Sequence, residues 1–110
     1  MFSINMTKCK IVFKNMNNIT SLIMDKERNI CLLNNKYKDI NIQSLLDDIE
    51  RIISSWEDKN EENKLVLDGS SLEIHYLNNN DDLIHLKYND LSMPKNAIKL
   101  YSIMEALNEQ

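Results

Sequence analysis

Two histidines, His75 and His85, are the side chains of this 110-residue sequence best suited to carry chemistry. They lie in two segments with alternating apolar residues, and if these pair as a hairpin the imidazoles become neighbours. Such a pair can supply two ligands to zinc, or act as acid and base on a phosphodiester. Only Glu73 is close enough by register to be a third ligand, and only Lys87 to stabilise a phosphorane. Two half-exposed histidines on a polar face are the commoner arrangement, so we predict no metal and no cofactor, with His75 and His85 as minor metal candidates.

The other potential nucleophiles lie in unsuitable surroundings. Neither serine pair, at 54–55 or 70–71, has the flanking glycines of the turn that exposes a catalytic serine. Cys9 and Cys31 lie in apolar segments, where a thiolate is disfavoured, and they lack the spacing of zinc ligands. The single glycine rules out a glycine-rich phosphate loop. The sequence therefore predicts a protein that is not an enzyme.

The elements that position the histidines are two strands, at 72–77 and 83–88. Folding them about Asn80 brings a specific set of residues opposite one another. The pairs are Leu72 with Tyr88, Ile74 with Leu86 and Tyr76 with Ile84 on one face, and Glu73 with Lys87, His75 with His85 and Leu77 with Leu83 on the other. Apolar residues then face apolar residues and opposite charges meet. A slip of one residue destroys both matches, so the pattern predicts this register.

Three more strands are predicted near the start of the chain, at 8–14, 19–25 and 29–35, because apolar and polar residues alternate there. The first carries its apolar side chains at Cys9, Ile11 and Phe13. Pairing the other two about the polar loop 25–29 places Met24 opposite Ile30 and Leu22 opposite Leu32.

The two cysteines are predicted to be buried free thiols. In a meander of these three strands, Cys9 and Cys31 lie on non-adjacent strands, about 10 Å apart, which is too far for a disulfide. Two cysteines are also too few for a disulfide scaffold, and free thiols are typical of a reducing cytosol.

Two helices and one short strand complete the predicted architecture. A continuous apolar stripe predicts a helix over 42–56, capped by Asn41 or Asp39. A strand at 64–67 leads into Asp68-Gly69, a strong hairpin signal, and a last helix begins near Ser92-Met93-Pro94.

The order of these elements, β-β-β-α-β-β-β-α, predicts the fold class. Links between successive strands are short, which favours antiparallel pairing. We therefore predict one α+β domain over residues 1–110, in which two helices pack on an antiparallel sheet of about six strands.

Charge is unevenly distributed along the chain. Residues 1–38 carry seven basic and two acidic side chains, whereas residues 39–110 carry six basic and fifteen acidic ones, which amounts to −9. Such a field repels nucleic acid and attracts a basic partner. No apolar run approaches the roughly 18 residues of a membrane span, and residues 1–16 hold three lysines and lack the apolar stretch of a secretion signal. We therefore predict a cytoplasmic protein that binds neither membrane nor nucleic acid.

A run of carboxylates covers one face of the first helix and the segment after it. Its members are Asp47, Asp48, Glu50, Glu57, Asp58, Glu61 and Glu62. Such a run can serve simply as a solvated surface, but it can also present itself to a basic protein and raise the rate of association. We predict this run as the partner-binding surface.

The acidic helix from Ser44 to Trp56, the Glu57-Asp58 pair after it and the missing catalytic residues together resemble the immunity proteins of bacterial contact-dependent growth-inhibition and related polymorphic toxin systems. The resemblance covers the whole chain in size and character. It implies a role, the tight binding and neutralisation of one cognate toxin, often a nuclease, and a basic nuclease surface suits the acidic part of the chain.

Two other functions stay open at this point. The chain can be a structural or assembly module that self-associates through its strand edges, since an outer strand accepts a partner strand. It can also be a histidine-dependent enzyme or metal-binding protein. The sequence leaves the oligomeric state open.

Overall fold

The computed structural model describes residues 6–15, 18–55, 70–89, 94 and 97–109. These residues form six strands and two helices. In chain order they are β1 (Met6–Lys14), β2 (Ile19–Asp25), β3 (Ile30–Leu33), β4 (Lys36–Tyr37), α1 (Ile42–Ser54), β5 (Ser71–Asn78), β6 (Leu83–Asn89) and α2 (Ala97–Asn108).

The six strands form one antiparallel sheet in the order β4-β3-β2-β1-β5-β6. Both helices pack on the same face, so the predicted α+β class is confirmed. In β1, Cys9 and Ile11 are buried while Lys8 and Lys10 are exposed, as the alternation predicts. Buried side chains of β1, β2, β3 and β5 meet those of α1 and α2 in a single core. We call the opposite side of the sheet the outer face.

The predicted register of β5 and β6 is confirmed at every pair from Leu72–Tyr88 to Leu77–Leu83. The turn between the strands is held by Asn78, whose Oδ1 accepts hydrogen bonds from the N–H of Asn80 at 2.9 Å and of Asp82 at 3.0 Å. A short polar side chain that bonds to nearby amides favours such a turn. This hairpin therefore holds its outer-face side chains in defined positions.

The predicted register of β2 and β3 is wrong by one residue. Met24 pairs with Cys31 and Leu22 with Leu33, rather than with Ile30 and Leu32. The correct register puts four buried side chains on the core face. It leaves four residues, 26–29, in the turn, and Asn29 closes that turn with a φ of 54°. Asparagine tolerates this left-handed conformation better than most residues.

The cysteines match their prediction. Cys9 and Cys31 are both buried and free, and they lie on β1 and β3 with β2 between them.

Strand β4 was not predicted from the sequence. The predicted third strand reaches residue 35, but β3 ends at Leu33, and Asn34 and Asn35 follow with φ values of 51° and 68°. Positive φ at both central residues is what a two-residue hairpin of type I′ requires. The chain therefore turns back into Lys36–Tyr37. The predicted strand at 64–67 and its Asp68-Gly69 turn lie outside the described residues. Among the described strands, the two neighbours of β5 are β1 and β6.

Helix α1 begins after Asn41, whose Oδ1 accepts the N–H of Ser44 at 3.0 Å. Of the two predicted caps, Asn41 is therefore the one used. Of the predicted apolar stripe, Ile42, Leu45, Leu46, Ile49 and Ile53 are buried, and Ile52 is partly buried against the core. The helix ends at Ser54, and Trp56, which was predicted to be its last apolar residue, lies outside the described residues.

Helix α2 begins at Ala97, later than the predicted start near Ser92-Met93-Pro94. The N–H of Ala97 bonds to the carbonyl of Pro94 at 3.0 Å, and positions 92 and 93 lie outside the described residues. The buried residues of α2 are Ala97, Leu100, Met104 and Leu107. Within the described chain, neither helix is long and apolar enough to cross a membrane.

Candidate functional site

The exposed side of α1 carries two of the predicted carboxylates. Asp47 and Asp48 are exposed, because the buried residues of α1 lie on its opposite side. Asp47 Oδ1 accepts a hydrogen bond from Gln43 Nε2 at 2.8 Å, one turn earlier. Asp48 Oδ1 lies 3.7 Å from Arg51 Nη1, with both side chains more than half exposed to solvent. Such exposed contacts are weak, so both carboxylates are accessible to a partner.

Glu50 occupies a different position from its two neighbours. Its Oε1 accepts a hydrogen bond from the backbone N–H of Met6, the first described residue of β1. The residue is half-buried. Of the three predicted α1 carboxylates, Glu50 is therefore the one that joins the helix to the sheet.

The other predicted members of the acidic run are Glu57, Asp58, Glu61 and Glu62, which lie outside the described residues. The part of the run that the structure describes consists of Asp47, Asp48 and Glu50.

The buried thiols are held in their protonated form. Burial, and next the nearby charge of Glu50, raise the pKa of Cys9 to about 12. Burial also raises the pKa of Cys31, against the opposing charge of Lys38. A thiol that stays protonated at neutral pH is a poor nucleophile, which agrees with the sequence analysis.

His75 and His85 lie side by side on the outer face, as predicted. They are directly opposite each other on β5 and β6, and their rings stack with centroids 4.0 Å apart and planes inclined by 14°. Glu73 lies two residues before His75 on the same face, and its Oε2 is 3.6 Å from His75 Nε2. Its other oxygen, Oε1, is 3.6 Å from Lys87 Nζ. We call these three residues, Glu73, His75 and His85, the Glu-His-His cluster.

The electrostatics of the cluster centre on Glu73. Partial burial acts to raise the pKa of its carboxyl, but the polar contact with His75 and the charges of Lys87 and Lys14 outweigh burial and hold the pKa below its ordinary value. The carboxylate is therefore ionised at neutral pH and presents its charge to the two rings.

The cluster has the composition of a cation site. One ligand atom from each residue lies within 4.8 Å of the other two, and this is a combination of two imidazoles and a carboxylate. Beside it on the outer face lies a shallow groove of about 280 Å³, lined by His75, Leu77 and Leu83 from the hairpin and by Lys8, Lys10 and Ile23 from β1 and β2. The Glu-His-His cluster therefore lies beside a groove that a small ligand can reach.

The continuity of the outer face was not predicted from the sequence. A single row of cross-strand neighbours runs over all six strands, in the order Tyr37, Leu32, Ile23, Lys10, His75 and His85. The alternation within each strand indicated which residues share a face. The row itself depends on the strand order and on the corrected register of β2 and β3.

A second groove, of about 340 Å³, separates the end of α2 from β2 and the β3–β4 turn. Two carboxylates that were not predicted as site residues, Glu105 and Glu109, line it. The hydrogen bond between Tyr101 and Glu105, and next the charge of Glu105, raise the pKa of the Tyr101 hydroxyl. This groove is polar, and it adds acidic groups to the helical side of the molecule.

Comparisons with protein-family models, with curated proteins and with solved structures found no match to this chain.

Proposed function

We propose that this protein is a non-enzymatic inhibitor of the immunity-protein type, which binds one cognate toxin and neutralises it. The observation that carries the proposal is the exposure of Asp47 and Asp48 on a helix whose other side is anchored in the core. A rigid helix that presents carboxylates can meet a basic surface without reorganisation, which lowers the free-energy cost of binding.

Charge supports the same function. Residues 39–110 carry nine more acidic than basic side chains, and a field of this sign steers a basic protein, such as a nuclease, towards the chain. Blocking a nuclease requires only shape and negative potential, because the inhibitor then occupies the surface that phosphate groups use. The free thiols Cys9 and Cys31 suit the cytoplasm, the compartment in which we place this inhibitor.

The proposed function places the gene of a cognate toxin beside the gene of this chain. The test is binding of that toxin to the unmodified chain and to a charge-reversed variant, D47K/D48K. We expect a one-to-one complex whose association rate falls by about tenfold in the variant at low salt, with the difference shrinking as salt screens the charges. Stopped-flow fluorescence measures the rates. The matched control is E27K/E109K, which changes net charge by the same amount at exposed positions outside α1.

Two results count against this reading. If D47K/D48K and E27K/E109K slow association equally, net charge matters and the α1 face does not. If neither variant nor salt alters binding, the acidic surface plays no part in it.

A second candidate function is self-association through a strand edge. Among the described residues, β6 pairs only with β5, and its seven residues make it the longer of the two outer strands. Such an edge can accept a second copy, although Lys87 on this strand disfavours it. Light scattering across a range of concentrations separates the two functions, because a constant monomer mass supports the inhibitor and a rising mass supports assembly.

A further inference from the structure

We propose that Glu73, His75 and His85 bind a zinc ion on the outer face of the sheet, with a fourth coordination position left open. This inference is independent of the proposed inhibitor function, because α1 packs against the opposite face of the sheet.

The backbone brings the three side chains together. Glu73 and His75 are two residues apart on β5, so they share a face. His75 and His85 are directly opposite each other across the β5–β6 pair, where Cβ atoms lie about 4.5–5.5 Å apart. The core side of the same hairpin, with Leu72 and Ile74 fully buried, fixes this register. The ligands therefore do not depend on a loop for their position.

The chemistry of the three donors matches zinc. Two imidazole nitrogens and one carboxylate oxygen, with an open fourth position, form a recognised zinc ligand set with metal–ligand distances of about 2.0–2.2 Å. Ligand atoms in a tetrahedral site of that size are about 3.3 Å apart, whereas here they lie within 4.8 Å of one another. Zinc binding therefore requires the side chains to rotate so that the ligand atoms move closer together.

Zinc binding must change the ring geometry. The His75 and His85 planes are inclined by only 14°, so the nitrogen lone pairs lie in two nearly parallel planes and do not meet at one ion. One ring has to turn about its Cβ–Cγ bond, and His85 is exposed and has room to do so. The stacking contact is then exchanged for two metal–nitrogen bonds. Loss of ring stacking is a signature that distinguishes this site from binding elsewhere.

Lys87 competes for the carboxylate. Its Nζ lies 3.6 Å from Glu73 Oε1, and its positive charge opposes a cation at the same place. Because 67% of the Lys87 side chain is exposed, the lysine can swing into solvent when zinc arrives. Removing it frees Glu73 and should strengthen the site.

The experiment titrates the chelator-treated 110-residue chain with zinc chloride and follows the heat of binding by calorimetry. We expect one zinc per chain. H75A and H85A should each weaken binding by at least about tenfold, since even residues that only orient a ligand contribute that much. K87Q should bind more tightly than the unmodified chain. D47N/D48N, which removes exposed carboxylates from α1, should bind zinc as the unmodified chain does.

A second measurement needs no substitution. The imidazole C–H signals of both histidines in the NMR spectrum should shift together as zinc is added, in proportion to saturation. Failure of the unmodified chain to take up zinc overturns the proposal, and so does uptake that is unchanged in H85A or that leaves both imidazole signals in place. None of these readouts depends on toxin binding, so the inhibitor function is tested separately.

Discussion

Glu50 shows how one residue can link the two layers of this fold. Its carboxylate accepts the N–H of Met6, 44 positions earlier in the chain, and its charge contributes to the raised pKa of Cys9. Asp47 and Asp48, on the same helix, form only exposed contacts. Three carboxylates within four positions therefore have unequal roles, two facing solvent and one completing the join between α1 and β1.

We expect Glu50→Ala to lower the free energy of unfolding by about 1–3 kcal/mol, because it leaves the Met6 amide without its acceptor in a partly buried place. Urea denaturation followed by circular dichroism measures the loss. Asp47→Ala is the control, and it should change stability by no more than about 0.5 kcal/mol. An equal loss in the two variants would show that the Met6 contact contributes nothing.

At the scale of elements, asparagines set where the strands and the first helix begin and end. Asn29 closes the turn that defines the register of β2 and β3, and Asn34 with Asn35 forms the turn into β4. Asn34 also accepts the N–H of Ser21 through its Oδ1 at 2.9 Å, which ties this turn to β2. Asn41 caps α1 in the same way, with a side-chain oxygen that accepts a backbone N–H.

We expect Asn41→Ala to destabilise the protein by about 1 kcal/mol, because the Ser44 amide loses its capping acceptor. Asp39→Ala is a matched control, since Asp39 was the other predicted cap and is exposed without capping the helix. Thermal unfolding of the two variants, followed by the helix signal in circular dichroism, measures the difference in stability. A larger effect at position 39 would assign the cap to Asp39.

At the scale of the whole molecule, the two sides of the sheet differ in character. The helical side presents Asp47 and Asp48, whereas the outer face carries the Glu-His-His cluster and lysines from β1 and β6. The proposed inhibitor surface and the proposed zinc site therefore lie on opposite sides of one core, and one can be altered without disturbing the other.

The shared core also makes stability depend on pH. Burial raises the pKa of Cys9 to about 12 from its ordinary value of 9.0, and raises that of Cys31 in the same direction. Above pH 9.0 the unfolded chain therefore loses thiol protons that the folded chain keeps. The contribution of the thiols to the free energy of unfolding keeps its full value below pH 9.0. It falls as the pH rises above that value, by up to about 1.4 kcal/mol per pH unit for each thiol.

Urea denaturation between pH 9.0 and 10.0 tests this, because Tyr76 and Tyr101, whose pKa values are also raised, contribute mainly above their ordinary value of 10.0. Cys9→Ala should be less stable at neutral pH, because it leaves a cavity, but its stability should decline less steeply with pH. If the free energy of unfolding falls equally with pH in the two proteins, the pKa of Cys9 is the same in the folded and unfolded states.

Much of the candidate site was predictable because its pattern is local. Residues 72–88 hold both strands of one hairpin, so apolar and charged matches could be compared for each register, and only one satisfied them all. The pairing of His75 with His85, and the position of Glu73 beside them, follow from that register. The β2–β3 register was harder, because Met24 can face either Ile30 or Cys31 without any mismatch of charge.

The amino-acid sequence alone determined the period of each element, and so which side chains of the β5–β6 hairpin and of α1 face the core. Only the tertiary structure decided that β1 lies between β2 and β5, that one row of side chains crosses six strands, and that Glu50 turns towards Met6. The physical reason is distance along the chain. Alternation along strands and apolar stripes along helices reflect contacts between residues close in the sequence. The strand order, the row of side chains and the Glu50–Met6 contact instead join residues tens of positions apart, which come together only when the complete core has packed.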